Sequence, residues 1–162
     1  MVKPIFLANT CGTIGRMTRL TDQVNTQTNF AYDDRGLVTE RTDPFNRNTL
    51  TSYDSMGRLI SQTDRNNQSI TTSYTQSGKL NNITYPGHSI SFDYDAKDNL
   101  TTMTDPLGVT SNSFDALNRL TGHTDPNGFA VQYSYDPAGN LTQLSYPGNK
   151  TVSYSYDAHS TD

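Results

Sequence analysis

A seven-residue motif, Tyr-Asp-x-x-Gly-x-Leu, recurs along the whole chain at a nearly constant step. Its copies are Tyr32–Val38, Tyr53–Leu59, Tyr74–Leu80, Tyr94–Leu100, Phe114–Leu120 and Tyr135–Leu141. Another begins at Tyr156-Asp157-Ala158, and Cys11–Met17 fits the same register with Cys11 in the tyrosine column. The lead positions 11, 32, 53, 74, 94, 114, 135 and 156 give steps of 21, 21, 21, 20, 20, 21 and 21 residues. A step this short excludes most helical repeats and leaves room for two short elements and two tight turns.

Both turns are legible. In Asp-x-x-Gly, aspartate suits the first position of a type I turn and glycine the fourth, where positive φ is wanted. Asp54 and Gly57 are one such pair, Asp136 and Gly139 another. Where glycine is lost, after Asp95 and Asp115, the replacements are Asp98 and Asn118, side chains that tolerate the left-handed region. The second turn has an Asp-Pro form, at Asp43-Pro44-Phe45-Asn46, Asp105-Pro106-Leu107-Gly108 and Asp125-Pro126-Asn127-Gly128, which suits type I. Its other form, Tyr85-Pro86-Gly87 and Tyr146-Pro147-Gly148, suits type II. Asp64-Arg65-Asn66-Asn67 is the Asp-Pro form without its proline. The one-residue variation in step falls after this turn and does not follow the turn's sequence.

Between turns, apolar and aromatic residues take alternate positions, as in Ile90-Ser91-Phe92-Asp93-Tyr94 and Val131-Gln132-Tyr133-Ser134-Tyr135. That is the period of a strand with one covered face. After the first turn the spacing changes to Leu-x-x-hydrophobic, as in Leu100-Thr101-Thr102-Met103. A β-bulge or residues on both faces would each produce it. The sequence therefore predicts an all-β chain of repeated β-hairpins, stacked into a curved antiparallel ribbon of about 12–14 strands; sheets beyond ~10 strands curl, split or flatten. Tyr32, Tyr53, Tyr74, Tyr94, Phe114, Tyr135 and Tyr156 form a ladder in it. Leu59, Leu80, Leu100, Leu120 and Leu141 form a column beside that ladder. The array runs over 11–162 in about seven units, the last cut short, after a lead-in of 1–10. Only 32% of residues are apolar, against roughly 45–50% in ordinary globular proteins, so the core is thin. An open ribbon also exposes two edges that invite self-association or the remainder of a longer array.

The Tyr-Asp-x-x-Gly-Arg-Leu unit with a following Thr-Asp-Pro-x-Gly strongly resembles the YD repeats of bacterial Rhs proteins, over about residues 11–158. It is similar also to the B/C component of insecticidal toxin complexes and to the extracellular teneurins. The best matches are Tyr53–Leu59, Leu100–Gly108 and Leu120–Gly128. The resemblance implies a β-ribbon that spirals into a hollow shell, enclosing a C-terminal toxin in bacterial members and serving adhesion in teneurins. It implies a non-enzymatic scaffold, partnered by the rest of a shell and by toxin cargo, and secreted, delivered or displayed at a cell surface within a larger bacterial protein. The alternative is an extracellular carbohydrate-binding or adhesion module. The family's shells have many more repeats. Its cap with an aspartate-dependent self-cleavage site has no counterpart here, and Asp125-Pro126-Asn127-Gly128 is a turn in register.

The residues themselves offer no chemistry: no catalytic group, metal site or cofactor is expected. His88, His123 and His159 fall in three different columns, and Cys11, the single cysteine, has no histidine in register. The aspartate column (Asp33, Asp54, Asp95, Asp115, Asp136, Asp157) suits turn capping better than calcium, since Thr75 replaces it without disturbing the repeat. The tyrosine column, these aspartates, Gly57, Asp98, Asn118 and Gly139 read as structural. So do the second-turn residues Pro86, Gly87, Pro106, Gly108, Pro126, Gly128, Pro147 and Gly148. Phe30, Phe92, Tyr133 and Tyr154, two residues before the ladder, are expected to form the ribbon's own buried layer; left open, such a row could stack on sugars or on a partner's apolar surface. Asn-x-Ser/Thr triplets at Asn67, Asn82, Asn99, Asn140 and Asn149 are put down to composition, with 24 Thr and 15 Asn in the chain. A net charge of −4 with scattered basic residues argues against nucleic acid. No apolar run approaches 18 residues, so no membrane span is expected. Met1–Ala8 lacks the long apolar region of a secretory signal.

Overall fold

Asp-x-x-Gly sets the local geometry. At Asp54 the Gly57 N–H donates to the Asp54 carbonyl at 3.0 Å, and the Asp54 N–H to the Arg58 carbonyl at 2.9 Å. Gly57 has φ of 81°. This is a three-residue hairpin loop, a type I turn followed by one left-handed residue. Asp98 (φ 63°) and Asn118 (φ 63°) take the same conformation where glycine is absent. The same pair of backbone bonds closes the second turns at Asp43, Asp64 and Asp125. It also closes one at Asp22, with Asn25 at φ 64°, which carries neither proline nor glycine and was not picked out from sequence.

The computed structural model describes residues 8–11 and 15–157, with side chains from 15 onward. The lead-in before Ala8, Gly12 to Ile14 of the first motif copy, the Cys11 side chain, Ala158 and His159 lie outside the described residues. Fifteen strands are described: β1 (Ala8–Cys11), β2 (Met17–Thr21), β3 (Gln27–Tyr32), β4 (Val38–Thr42), β5 (Asn48–Tyr53), β6 (Leu59–Thr63), β7 (Ser69–Tyr74), β8 (Leu80–Tyr85), β9 (His88–Tyr94), β10 (Leu100–Asp105), β11 (Gly108–Phe114), β12 (Leu120–Thr124), β13 (Ala130–Tyr135), β14 (Leu141–Tyr146) and β15 (Lys150–Ser153). There is no helix among the described residues. The count exceeds the expected 12–14 because strand structure starts at Ala8, inside the stretch assigned as lead-in.

The chain divides into two compact units, Met1–Ser73 with Thr84–Gly87, and Tyr74–Ile83 with His88–Asp162. Within the first, strands β1 to β7 follow chain order, each antiparallel to the next. Within the second, β9 to β15 do the same. The tight turns dictate this order, since a loop of two or three residues can join only antiparallel neighbours.

The register explains the Leu-x-x-hydrophobic spacing. Tyr53 pairs with Leu59 and Ser52 with Ser61, so Ile60 has no partner. The same skip follows Val38, Leu100, Leu120 and Leu141. The first turns at Asp33, Asp54, Asp95, Asp115 and Asp136 are thus each followed by a β-bulge. It returns the strand to phase, so that Met103 pairs with Phe92 and Leu144 with Tyr133 on the face that carries the tyrosines. The bulge, not a second face, accounts for the gap of three.

Loop length explains the step. In the 20-residue repeats the strands flanking the second turn are separated by two residues, Pro86-Gly87 and Pro106-Leu107. In the 21-residue repeats they are separated by more, as at Asp43–Arg47 and Asp125–Phe129, where the loop has three residues. Tyr-Pro-Gly yields both lengths. Tyr146 pairs with Lys150 across Pro147, Gly148 and Asn149, because Asn149 accepts φ of 58° after Gly148 at 79°. After Gly87 comes His88, which opens β9 directly.

No apolar side chain among the described residues is buried. This corrects the expectation of an internal aromatic layer: Phe30, Phe92 and Tyr133 are half-buried, and Tyr154 is 41% exposed. A single sheet has no second layer to close over its side chains.

Candidate functional surface

The described residues contain no group of three or more His, Cys, Asp or Glu side chains placed to hold a metal ion. Among the features that repeat in three dimensions are the capped first turns and a hydroxyl clasp between successive hairpins.

The capping is uniform. Asp54 Oδ1 accepts from the N–H groups of Met56 and Arg58, both at 2.9 Å, and Oδ2 accepts from Arg58 Nε at 2.7 Å. Asp115 does the same with Leu117 and Arg119, and Asp95 with Lys97 and Asn99. At Asp136 the side chain holds the N–H and the amide of Asn140. Thr75 holds the Lys79 N–H at 3.1 Å with its single oxygen. These donors favour the ionised carboxylate. The Arg58 N–H foremost holds the Asp54 carboxyl below its usual range; the Arg119 N–H does so for Asp115, and the side-chain amides of Asn99 and Asn140 for Asp95 and Asp136. At the second turns, Asp43 is the one buried residue described, 8% exposed. The Arg47 guanidinium bond at 2.8 Å, then the N–H groups of Arg47 and Phe45, hold its carboxyl down at about 2 against the effect of burial.

First turns also bond to the next first turn. Arg16 donates to the Asp33 carbonyl at 3.1 Å and Arg35 to the Asp54 carbonyl. In the second unit, Ser77 donates to the Asp98 carboxylate at 2.8 Å, Lys97 to the Ala116 carbonyl at 2.6 Å, and Arg119 to the Asp136 carbonyl at 3.1 Å. Arg119 also lies over the Tyr135 ring, 4.6 Å from its centroid.

The clasp runs from Tyr32, Tyr53, Tyr94, Tyr135 and Tyr156 to the repeat before each. Tyr53 Oη donates to the Val38 carbonyl at 3.0 Å, Tyr94 to Leu80 at 2.9 Å, and Tyr135 to Leu120 and Tyr156 to Leu141 at 2.8 Å each. Tyr32 donates to Met17 at 2.6 Å. At Met17, Val38, Leu120 and Leu141 the accepting carbonyl stands beside a bulge, where the ladder is interrupted and a backbone oxygen needs another donor. The column that looked like ring packing in the sequence is therefore also a row of hydrogen bonds. Sequence reasoning missed the acceptor because it depends on a bulge whose place only the register shows.

The tyrosine face of the second unit carries Ile90, Phe92, Met103, Val131, Tyr133 and Leu144, all half-buried. In the first unit the positions of Met103 and Leu144 are held by Arg41 and Gln62. An open groove of about 610 Å³ is lined by the turns at Thr75 and Asp95 and by Phe92 and Tyr94.

The profile of the teneurin YD-shell family matches residues 7–161. A comparison with curated proteins finds no match. Among solved structures, the chain is similar to the Tc holotoxin pore of Photorhabdus luminescens, at 17% identity and a TM-score of 0.62, over 91% of this chain and 9% of that one. It is similar also to TcdB2-TccC3-Cdc42 (16% identity, TM-score 0.63) and to TcdB2-TccC3 without its hypervariable C-terminal region (18%, 0.62), each over 92% of this chain and 10% of the other. The chain thus spans about a tenth of the structures it matches.

Proposed function

From the finding that the chain belongs to the teneurin YD-shell family, and is a structural shell segment, we propose that it forms part of the wall of a larger β-shell that encloses a toxin polypeptide. The observation that carries this reading is the contrast between a hydrogen-bonded margin and an uncovered face. Successive hairpins are fastened by capped turns and tyrosine clasps, yet no apolar side chain described is buried. A wall has that character: its strength lies along the ribbon, and its face is completed by what it surrounds. The segment acts without catalysis, by fastening and covering. The toxin assemblies named among its structural neighbours supply the class of cargo. As part of such an assembly the segment is exported or displayed with the rest of its shell.

Light scattering in line with size-exclusion chromatography, over a range of concentrations, tests the reading. We expect a defined dimer or species that grow with concentration, because strand edges and an apolar face seek the rest of a shell. A monodisperse monomer of 18.0 kDa at all concentrations would overturn it.

A further inference from the structure

In the second unit one column position has no hydroxyl to form the clasp. Phe114 stands where Tyr94 and Tyr135 stand in their repeats, and a phenyl ring donates no hydrogen bond. The carbonyl it would serve is that of Leu100, fourteen residues upstream, the separation found between Tyr94 and Leu80 in the other 20-residue repeat. That carbonyl is occupied. Asn112, two residues before Phe114 and on the same strand face, donates Nδ2 to the Leu100 oxygen at 3.1 Å. Asn112 Oδ1 lies 2.8 Å from Nδ1 of His123. Asn112 and His123 are direct partners in the β11–β12 register, so the strand pairing brings them together. The reach from this position is not peculiar to asparagine: Thr72, two residues before Tyr74, donates its hydroxyl to the Leu59 carbonyl.

We infer that Asn112 and His123 form a relay that replaces the missing tyrosine hydroxyl. They make this junction a switchable clasp, whose closure depends on which imidazole nitrogen carries the proton. An amide that turns its nitrogen to Leu100 must turn its oxygen to the imidazole, so His123 must donate from Nδ1. With the proton on Nε2 instead, Nδ1 becomes an acceptor. The amide then turns over, and its oxygen faces the Leu100 carbonyl oxygen. The clasp opens while the strand ladder stays intact. The phenolic clasps at Tyr94 and Tyr135 have no such second arrangement, since a hydroxyl proton rotates to its acceptor. Asn112 and His123 are positioning residues, and the Leu100 carbonyl is the group they hold.

Two measurements on the full chain test this. Nitrogen-15 shifts of the unmodified protein identify the neutral His123 tautomer, expected to be Nδ1–H; a neutral ring wholly in the Nε2–H form overturns the relay. Hydrogen exchange then reads the junction. Asn112→Ala should speed exchange in 100–105 and 108–114 on the order of tenfold, the effect of losing one hydrogen bond locally. His123→Phe should do the same alone and add nothing in the Asn112→Ala background. Phe114→Tyr should restore protection to Asn112→Ala by bringing back the hydroxyl. Additive effects, or no rescue by the tyrosine, would overturn the proposal, and rescue also shows that the single variant was folded.

Discussion

The two margins of the sheet are built to different rules. At the first-turn margin the loops at Asp33, Asp54, Thr75, Asp95, Asp115 and Asp136 all have three residues and bond to a neighbouring repeat through Arg35, Ser77, Lys97 or Arg119, and bulges follow those at Asp33, Asp54, Asp95, Asp115 and Asp136. At the second-turn margin Asp43, Asp64 and Asp125 close on their own hairpins, and loops have two or three residues. A turn that also holds the next repeat cannot change length without moving a carbonyl that a tyrosine must reach. A turn closed by bonds within its own hairpin, as at Asp43 and Asp125, is not tied in that way. Invariance at one margin and drift at the other follow from where the inter-repeat bonds lie.

Acid should weaken both margins together, since both are capped by ionised carboxylates. The capping carboxyls have folded values below the ordinary 3.8, so their contribution is full above that value and is lost as pH falls through the folded one. Both margins use such caps, and Asp43 extends the loss to about pH 2. Thermal melts from pH 5 to pH 1.5 should show midpoints falling steadily below pH 4. Flat midpoints down to pH 2 would show that the caps are ornamental.

A substitution at the first-turn margin separates backbone from side chain. Gly57→Val places a β-branched residue at φ of 81° and should cost about 1–3 kcal/mol in denaturant melts. The space is open, with Leu37 Cδ1 at 3.5 Å from an added Cβ, so the loss reports conformation and not collision. Asp54→Ala should cost less, because the turn keeps its backbone bonds. Equal and negligible losses would break the turn assignment. Tyr53→Phe is next in size: it keeps the ring and removes one bond to the Val38 carbonyl, for about 0.5–1.5 kcal/mol. No loss would reduce the column to ring packing.

How far these features can be read from sequence depends on whether they repeat in identity or only in role. Asp54, Gly57 and Tyr53 repeat in identity, so the hairpin, its turn and its column are legible. Asp98 and Asn118 could be placed because left-handed φ admits few residue types. The acceptor of the tyrosine hydroxyl was not legible, since any residue has a carbonyl and its address depends on the bulge. Asn112 and His123 were hidden for a related reason: they preserve a role with unrelated side chains from another column. The aromatic layer was misjudged because alternation tells which face a residue takes, not whether anything covers that face.

The smallest effect is expected where the comparison is sharpest. Inserting one glycine after Pro86 would lengthen a two-residue loop to three and turn a 20-residue step into a 21-residue one. The chain already contains that change: Tyr146, Pro147 and Gly148 are followed by Asn149 at φ of 58° before the strand resumes at Lys150. Glycine accepts the same φ, and one extra loop residue adds only a few tenths of a kcal/mol of closure entropy. Midpoints should therefore shift by less than about 0.6 kcal/mol. The same insertion after Ala96, between Asp95 and Asp98, has no such precedent. It would separate Asp95 from the Asn99 N–H and move Asp98 from Ser77, so it should be several times more damaging. If the two insertions cost the same, the margins do not differ in kind, and the constant first turn has some cause other than the bonds it makes to its neighbours.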